Sequence, residues 1–225
     1  MRQTATKPLQ GTAGQRPSKR SAPLTGPLYG DVTQVRRPFK YRQRSPFHVL
    51  GRLARYEFEN IDRFLEWANQ QARARQRFLE RLPGRIGTDD CFVDDVAEIE
   101  GFTSLCNESA IVMLWRCIEL SRRRLIANAL GARMARGVFR HANFCQALSM
   151  VRISEAKLRC ARSVEELRCL NNAVKHEGLV GAELATHARW KGRLGQELGN
   201  LRPHFDRLRP LAERYINNLV KKAAR

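Results

Sequence analysis

Apolar residues recur at three- and four-residue intervals through most of the chain, the period of one face of an α-helix. From about Arg52, the positions Phe58, Ile61, Leu65, Ala68 and Ala72 form such a stripe, and Phe64 and Phe78 extend it toward Leu82. Pro83 and Gly84 stop it. Thr88, Asp89 or Asp90 then offers an N-cap to a short acidic segment that opens at Phe92 and Val93 and carries Asp94, Asp95, Glu98 and Glu100. A long, largely buried helix is predicted from Phe102, with Ile111, Leu114, Trp115, Ile118, Leu125, Ala129 and Leu130 apolar and Gly131 at its end.

Residues 132–162 read as shorter pieces, perceptibly broken around Arg152, Ile153 and Ser154. Ser163 and Glu166 have the spacing of a capping box, which would open a helix from Val164 to about Lys175 with Gly178 as its stop. A weaker helix is expected over 181–198. The last segment is amphipathic, with Leu208, Leu211, Tyr215, Leu219 and Val220 on one face and Lys221, Lys222 and Arg225 where the helix dipole favours cations. No segment alternates with period two and no repeat is visible, so the expected fold is all-α, an up-and-down helical bundle.

Residues 1–46 have no apolar period and are a mixture of Pro, Gly, Ser, Thr and Arg, which cannot offset the entropy of ordering. The chain therefore divides into a disordered basic tail, 1–48, and a helical domain, 49–225. The net charge of +19 is shared between them, +9 in the tail and +10 in the domain. A chain this basic suits polyanionic partners such as nucleic acid or acidic membranes. In the tail, Phe39 and Tyr41 lie among Arg36, Arg37, Lys40, Arg42 and Arg44, as in a basic arm that grips RNA or DNA by charge and stacking. A solvated extension has the same composition. A mitochondrial leader would also be rich in Arg, Ser and Thr, but Pro8, Pro17, Pro23 and Pro27 interrupt any amphipathic helix there.

No apolar run is long enough for a membrane span or a secretory signal. Six cysteines, Cys91, Cys106, Cys117, Cys145, Cys160 and Cys169, lie scattered with no zinc-type pair, which suggests reduced core thiols in a cytoplasmic protein without metal or cofactor. The signatures of nucleotide-binding loops, serine hydrolases, zinc proteases and dinucleotide folds are absent from the sequence.

The chemistry instead concentrates near position 172. Arg168, Asn172 and His176 form one i, i+4, i+8 row on the predicted helix, with Lys175 beside it. Amide, basic and imidazole groups one turn apart can hold a phosphodiester and move a proton. The plainer alternative is that His176 neutralises the helix's terminal carbonyls. If the row is catalytic, metal-independent RNA cleavage fits it: His176 would carry the proton, and Lys175 or Arg168 would stabilise charge on the phosphorane. Glu119, in the middle of the long helix, either pairs with Arg122 and Arg123 or steers an imidazole on a neighbouring helix.

The stretch from Leu170 to Gly178, with Asn172, Lys175 and His176 in an N-x-x-K-H arrangement, resembles a bacterial variant of the HEPN (higher eukaryotes and prokaryotes nucleotide-binding) domains. The order of helices over residues 50–225, including a long helix with a mid-helix acid at Phe102–Ile126, is similar too. The resemblance implies a helical bundle, often homodimeric, and a metal-independent endoribonuclease of a toxin–antitoxin or anti-phage defence system, with an antitoxin or other protein as partner. It also sets Asn171 where that family carries its catalytic arginine, so an uncharged donor stands where a cation would meet the phosphorane. Three readings stay open: a nuclease helped by Arg168 or Lys175, an RNA-binding module without cleavage, and a helical protein-interaction module.

Overall fold

The computed structural model describes residues 46–81 and 89–225, with side chains of 89–93 excepted. The expected basic arm, including Arg36, Arg37, Lys40, Arg42 and Arg44, lies outside the described residues, as do Leu82, Pro83, Gly84 and Thr88. Seven α-helices and one 3₁₀ turn make up the described chain: α1 Pro46–Glu80, α2 Asp89–Leu130, α3 Ala132–Ala135, α4 His141–Met150, the 3₁₀ turn Glu155–Lys157, α5 Ala161–His176, α6 Ala182–Ala185 and α7 Arg202–Ala223. The fold is all-α; among the described residues the one β-type pairing is an isolated bridge between Leu179 and Glu197.

The side-chain pairs fix the helix directions. Arg124 reaches Glu57 at 2.6 Å while Arg75 reaches Asp95 at 3.1 Å, so α1 and α2 run antiparallel. Arg209 bonds Asp62 and Arg55 approaches Glu213, which sets α7 antiparallel to α1. Arg207 bonds Glu166 and the Arg159 backbone N–H bonds Asn218, which sets α7 antiparallel to α5. Helices α1, α2, α5 and α7 therefore alternate up, down, up, down, with α3, α4 and α6 in the connections.

Helix α1 buries Phe58, Ile61, Leu65 and Ala68 of the predicted stripe, leaves Phe64 and Ala72 half-buried, and extends the buried face back to Leu50 and Ala54. It begins at Pro46, six residues before the periodicity suggests, with proline in the first-turn position where a missing N–H costs nothing. The stripe was expected to continue through Phe78, yet Phe78 is 54% exposed. Beyond Ala68 the apolar packing thins: α1 residues 69–80 and α2 residues 94–105 are mostly exposed, with Leu79 buried and Ala72, Asp95 and Phe102 half-buried, and Arg75 ties the two helices to each other through Asp95 and Glu98. The overhang is about 18 Å long at 1.5 Å per residue.

The acidic segment and the long helix are one element, because Gly101 sits mid-helix in open space and does not interrupt it. Where α2 enters the bundle its buried surface broadens to Cys106, Ala110, Ile111, Leu114, Trp115, Cys117, Ile118, Leu125 and Ile126, since it packs against α1, α5 and α7 together. Gly131, at φ 90°, ends it as expected. Gly178, at φ 66°, ends α5 in the same way, its N–H returning to the Ala173 carbonyl at 2.9 Å.

Two expected elements differ. The capping box does not form: α5 starts at Ala161, with Cys160 in a left-handed conformation as its N-cap and no side-chain cap. Glu166 is instead buried, accepting from the Trp190 indole N–H at 2.9 Å and from Arg207 at 2.5 Å. The helix expected over 181–198 reduces to the single turn α6. Downstream, Gly192, Gly195 and Gly199 all take positive φ, and the loop is held by Trp190, which is fully buried and stacked on His204 at 4.2 Å. Backbone bonds Val180 to Gln196 and Leu198 to Gly178 close it.

Candidate functional site

Helix α5 presents its predicted row unevenly. Asn172, Lys175 and His176 are exposed, and Asn172 and His176 line a hollow of about 270 Å3 with Cys169, Glu177, Gly181 and Glu183. Lys175 is on the adjoining surface, outside that hollow. Arg168 is half-buried and points elsewhere: it donates to Glu165 at 2.7 and 2.9 Å and to Glu183 at 2.7 Å. These bonds push the Arg168 pKa up, and although burial raises Glu165, the guanidinium overrides it and holds that carboxyl below its ordinary value. Arg168 thus carries no free charge toward His176.

Asn171, expected to meet a phosphate, is 2% exposed. It falls on the inner face with Leu167 and Leu170, its Nδ2 donates to Asn172 Oδ1 at 3.4 Å, and its own Oδ1 has no hydrogen-bond partner among the described residues. The reason is angular: one residue's step of about 100° turns Asn171 from the outer row into the core. It is a core residue and offers nothing to a surface ligand.

A larger open hollow, about 910 Å3, adjoins the first and shares Cys169 and Glu183 with it. It is formed by the first turns of α5, α6, the loop that follows and α7. Five cationic residues, Arg162, Arg168, Arg189, Lys191 and Arg207, line it against three acids, Glu165, Glu166 and Glu183. Arg168 and Arg207 are matched by these carboxylates. Arg162, Arg189 and Lys191 are exposed and have no carboxylate partner among the described residues. The two hollows make one strip along α5 from Arg162 to His176, about 21 Å at helical rise. Sequence spacing could not bring Arg189 and Lys191 to it, because the loop carrying them folds back only through Trp190.

Glu119 pairs with Arg116 at 3.5 Å, not with Arg122 or Arg123 as expected. Arg116 shares the outer face of α2 with it, whereas Arg122 is turned inward and is 5% exposed. There the guanidinium donates to Glu155 Oε1 at 2.5 Å and to the Tyr215 hydroxyl at 2.9 Å, and Tyr215 donates to the same Glu155 oxygen at 2.8 Å. Rings of Phe144, Tyr215 and Trp115 surround it, with centroids 4.5, 5.3 and 5.4 Å from the guanidinium carbon. Burial and the neighbouring carboxylate push the Tyr215 hydroxyl up despite Arg122.

The other oxygen of Glu155 faces a group that the sequence reading passed over. Cys145 Sγ lies 3.1 Å from Glu155 Oε2, and His141 Nε2 lies 3.6 Å from that oxygen and 3.6 Å from the sulfur. Burial, then the hydrogen bond and charge of Glu155, push the Cys145 thiol up to about 11. The available signal was the His141–Cys145 spacing, i and i+4 on one helix face; Glu155 is beyond the break at Arg152, which takes φ 57°. Of the other thiols, Cys106, Cys117 and Cys169 are buried and Cys160 half-buried, all free, while the Cys91 side chain lies outside the described residues.

No protein-family model matches the chain, and no curated protein and no solved structure matches it. No helix among the described residues is long and apolar enough to cross a membrane.

Proposed function

We propose that this chain is a HEPN-like RNA-binding protein that seats a ribose-phosphate backbone on the strip along α5. The observation that supports this reading is the trio Arg162, Arg189 and Lys191, exposed at the larger hollow without carboxylate partners among the described residues. Cations already matched by carboxylates add little to anion binding, whereas these three can exchange solvent ions for phosphates. Asn172, Lys175 and His176 continue the strip with an amide, an ammonium and an imidazole.

Holding RNA is the better-supported activity than cutting it. A phosphorane needs a cation at the reacting oxygens, and Arg168 is engaged by two carboxylates while Asn171 is inside the core. Endoribonuclease chemistry is the second reading, favoured by the exposure of His176 in the same hollow as Asn172. A homodimer, and a role in defence or a toxin–antitoxin pair, follow only from the family resemblance and belong to the same proposal.

The test is RNA binding by the full chain as a function of salt. Replacing Arg162, Arg189 and Lys191 together with Gln should weaken affinity and lower the log–log salt slope by about one for each phosphate contact removed. An unchanged affinity and slope would overturn the reading. Incubating the same RNA in EDTA separates the two activities: product formation lost in His176→Ala assigns cleavage, and binding without product assigns the module.

A further inference from the structure

We propose that His141, Cys145 and Glu155 form a three-ligand site for a zinc-class divalent metal ion, with its remaining coordination position open to solvent. The site shares no residue with the α5 strip, although Glu165 of that strip lies within electrostatic reach of His141 and Cys145, and nothing in the RNA reading is needed for it.

Two neighbouring elements converge their donor atoms on one point. Helix α4 places His141 and Cys145 one turn apart on the same face, and the 3₁₀ turn brings Glu155 across from them. The three donor atoms lie within 4.8 Å of one another. Ordinary zinc bonds at tetrahedral angles would set sulfur and nitrogen about 3.6 Å apart, sulfur and oxygen about 3.5 Å and nitrogen and oxygen about 3.3 Å. The corresponding separations here are 3.6, 3.1 and 3.6 Å, a triangle that accepts the ion with shifts of a few tenths of an ångström.

The support behind the donors has the form that metal sites use. A ligating carboxylate is normally held by hydrogen bonds on its other oxygen. Glu155 Oε1 receives Arg122 and Tyr215, both buried, which leaves Oε2 aimed at the sulfur and the imidazole. The Arg122 charge offsets the carboxylate, and a thiolate formed on binding would offset one charge of the ion, its proton passing to solvent. The His141 side chain is 45% exposed, which gives the ion a way in and leaves room for water.

A cysteine-nucleophile arrangement does not fit the same atoms. A relay needs the imidazole to face the thiol with one nitrogen and the carboxylate with the other. Here Nε2 faces both the sulfur and the carboxylate, as a shared ligand position requires. The donor set itself, one thiolate, one imidazole and one carboxylate, suits zinc and its spectroscopic substitute cobalt better than magnesium or calcium, which prefer oxygen alone.

The experiment uses the full chain, stripped with chelator and reduced, titrated with Co2+ and then with Zn2+. One equivalent of Co2+ should give the visible bands of a four-coordinate ion together with a thiolate-to-cobalt charge-transfer band, and Zn2+ should displace both. Cys145→Ser should abolish the charge-transfer band, and His141→Ala, a substitution at an exposed position, should weaken Zn2+ binding at least tenfold in calorimetry, while Cys160→Ser should leave both signals unchanged. The absence of a charge-transfer band in the parent chain would overturn the proposal. So would its persistence in Cys145→Ser, or undiminished Zn2+ affinity in His141→Ala, with native helicity verified by circular dichroism.

Discussion

The two chemistry-bearing regions of this molecule are built in opposite ways. Along α5, Asn172, Lys175 and His176 come from consecutive turns of one helix and stand in solvent. Behind α4, Arg122, Tyr215 and Glu155 come from three elements far apart in sequence and are almost wholly enclosed, with only His141 reaching the surface. The first region is held by its helix and can change without disturbing the core. The second is part of the core, because α2, α7 and the 3₁₀ turn are joined there by charge as well as by apolar contact. Exposure makes a surface available to a ligand, whereas enclosure fixes geometry.

Arg122→Ala should separate the two most strongly. It leaves Glu155 as a buried carboxylate without its cation, and removal of one member of such a pair costs about 3–5 kcal/mol. Denaturant unfolding should show that loss, and a change below about 1 kcal/mol would mean that the enclosed cluster is not structural. A smaller effect is expected at His204, which stacks on Trp190 in the loop that also carries Arg189 and Lys191. Burial, followed by the Arg207 charge, holds the His204 imidazole below its ordinary value. The folded protein then binds fewer protons at this site than the unfolded chain, so the site's stabilisation is complete above the ordinary histidine value of about 6.5 and is lost as pH falls through the lower folded value. His204→Gln should flatten that part of the stability–pH curve; a curve that keeps its slope would assign the loss to other groups. Smallest of all should be the stability change in the double variant Lys175→Ala, His176→Ala, within about 0.5 kcal/mol because both side chains are exposed. A thermal midpoint that drops by several degrees would show that the α5 end supports the fold.

The same contrast explains what could be read from the sequence. The stripe from Phe58 to Ala68 and the stops at Gly131 and Gly178 were legible because each is decided by residues a few positions apart. The row on α5 was legible as a row, but its inward neighbour Asn171 and the engagement of Arg168 by Glu183 depend on what packs beside the helix. Ser163 and Glu166 had the spacing of a cap and were overruled by a long-range demand, the Trp190 indole and the Arg207 guanidinium. The length of the exposed stretch after Ala68 was hidden for a related reason, since periodicity predicts a face without saying whether anything covers it.

That uncovered stretch has a consequence for motion. Residues 69–80 and 94–105 pack chiefly on each other, and most of their side chains are exposed, with Leu79 the buried one among those described. Amide hydrogens there should therefore exchange through local opening at free energies far below global unfolding, while those of α2 from Ala110 to Ile126 should exchange only when the whole bundle opens. Helix α2, the longest among the described residues, would be two dynamic segments in one continuous backbone, with the transition near Cys106, its first buried side chain among those described.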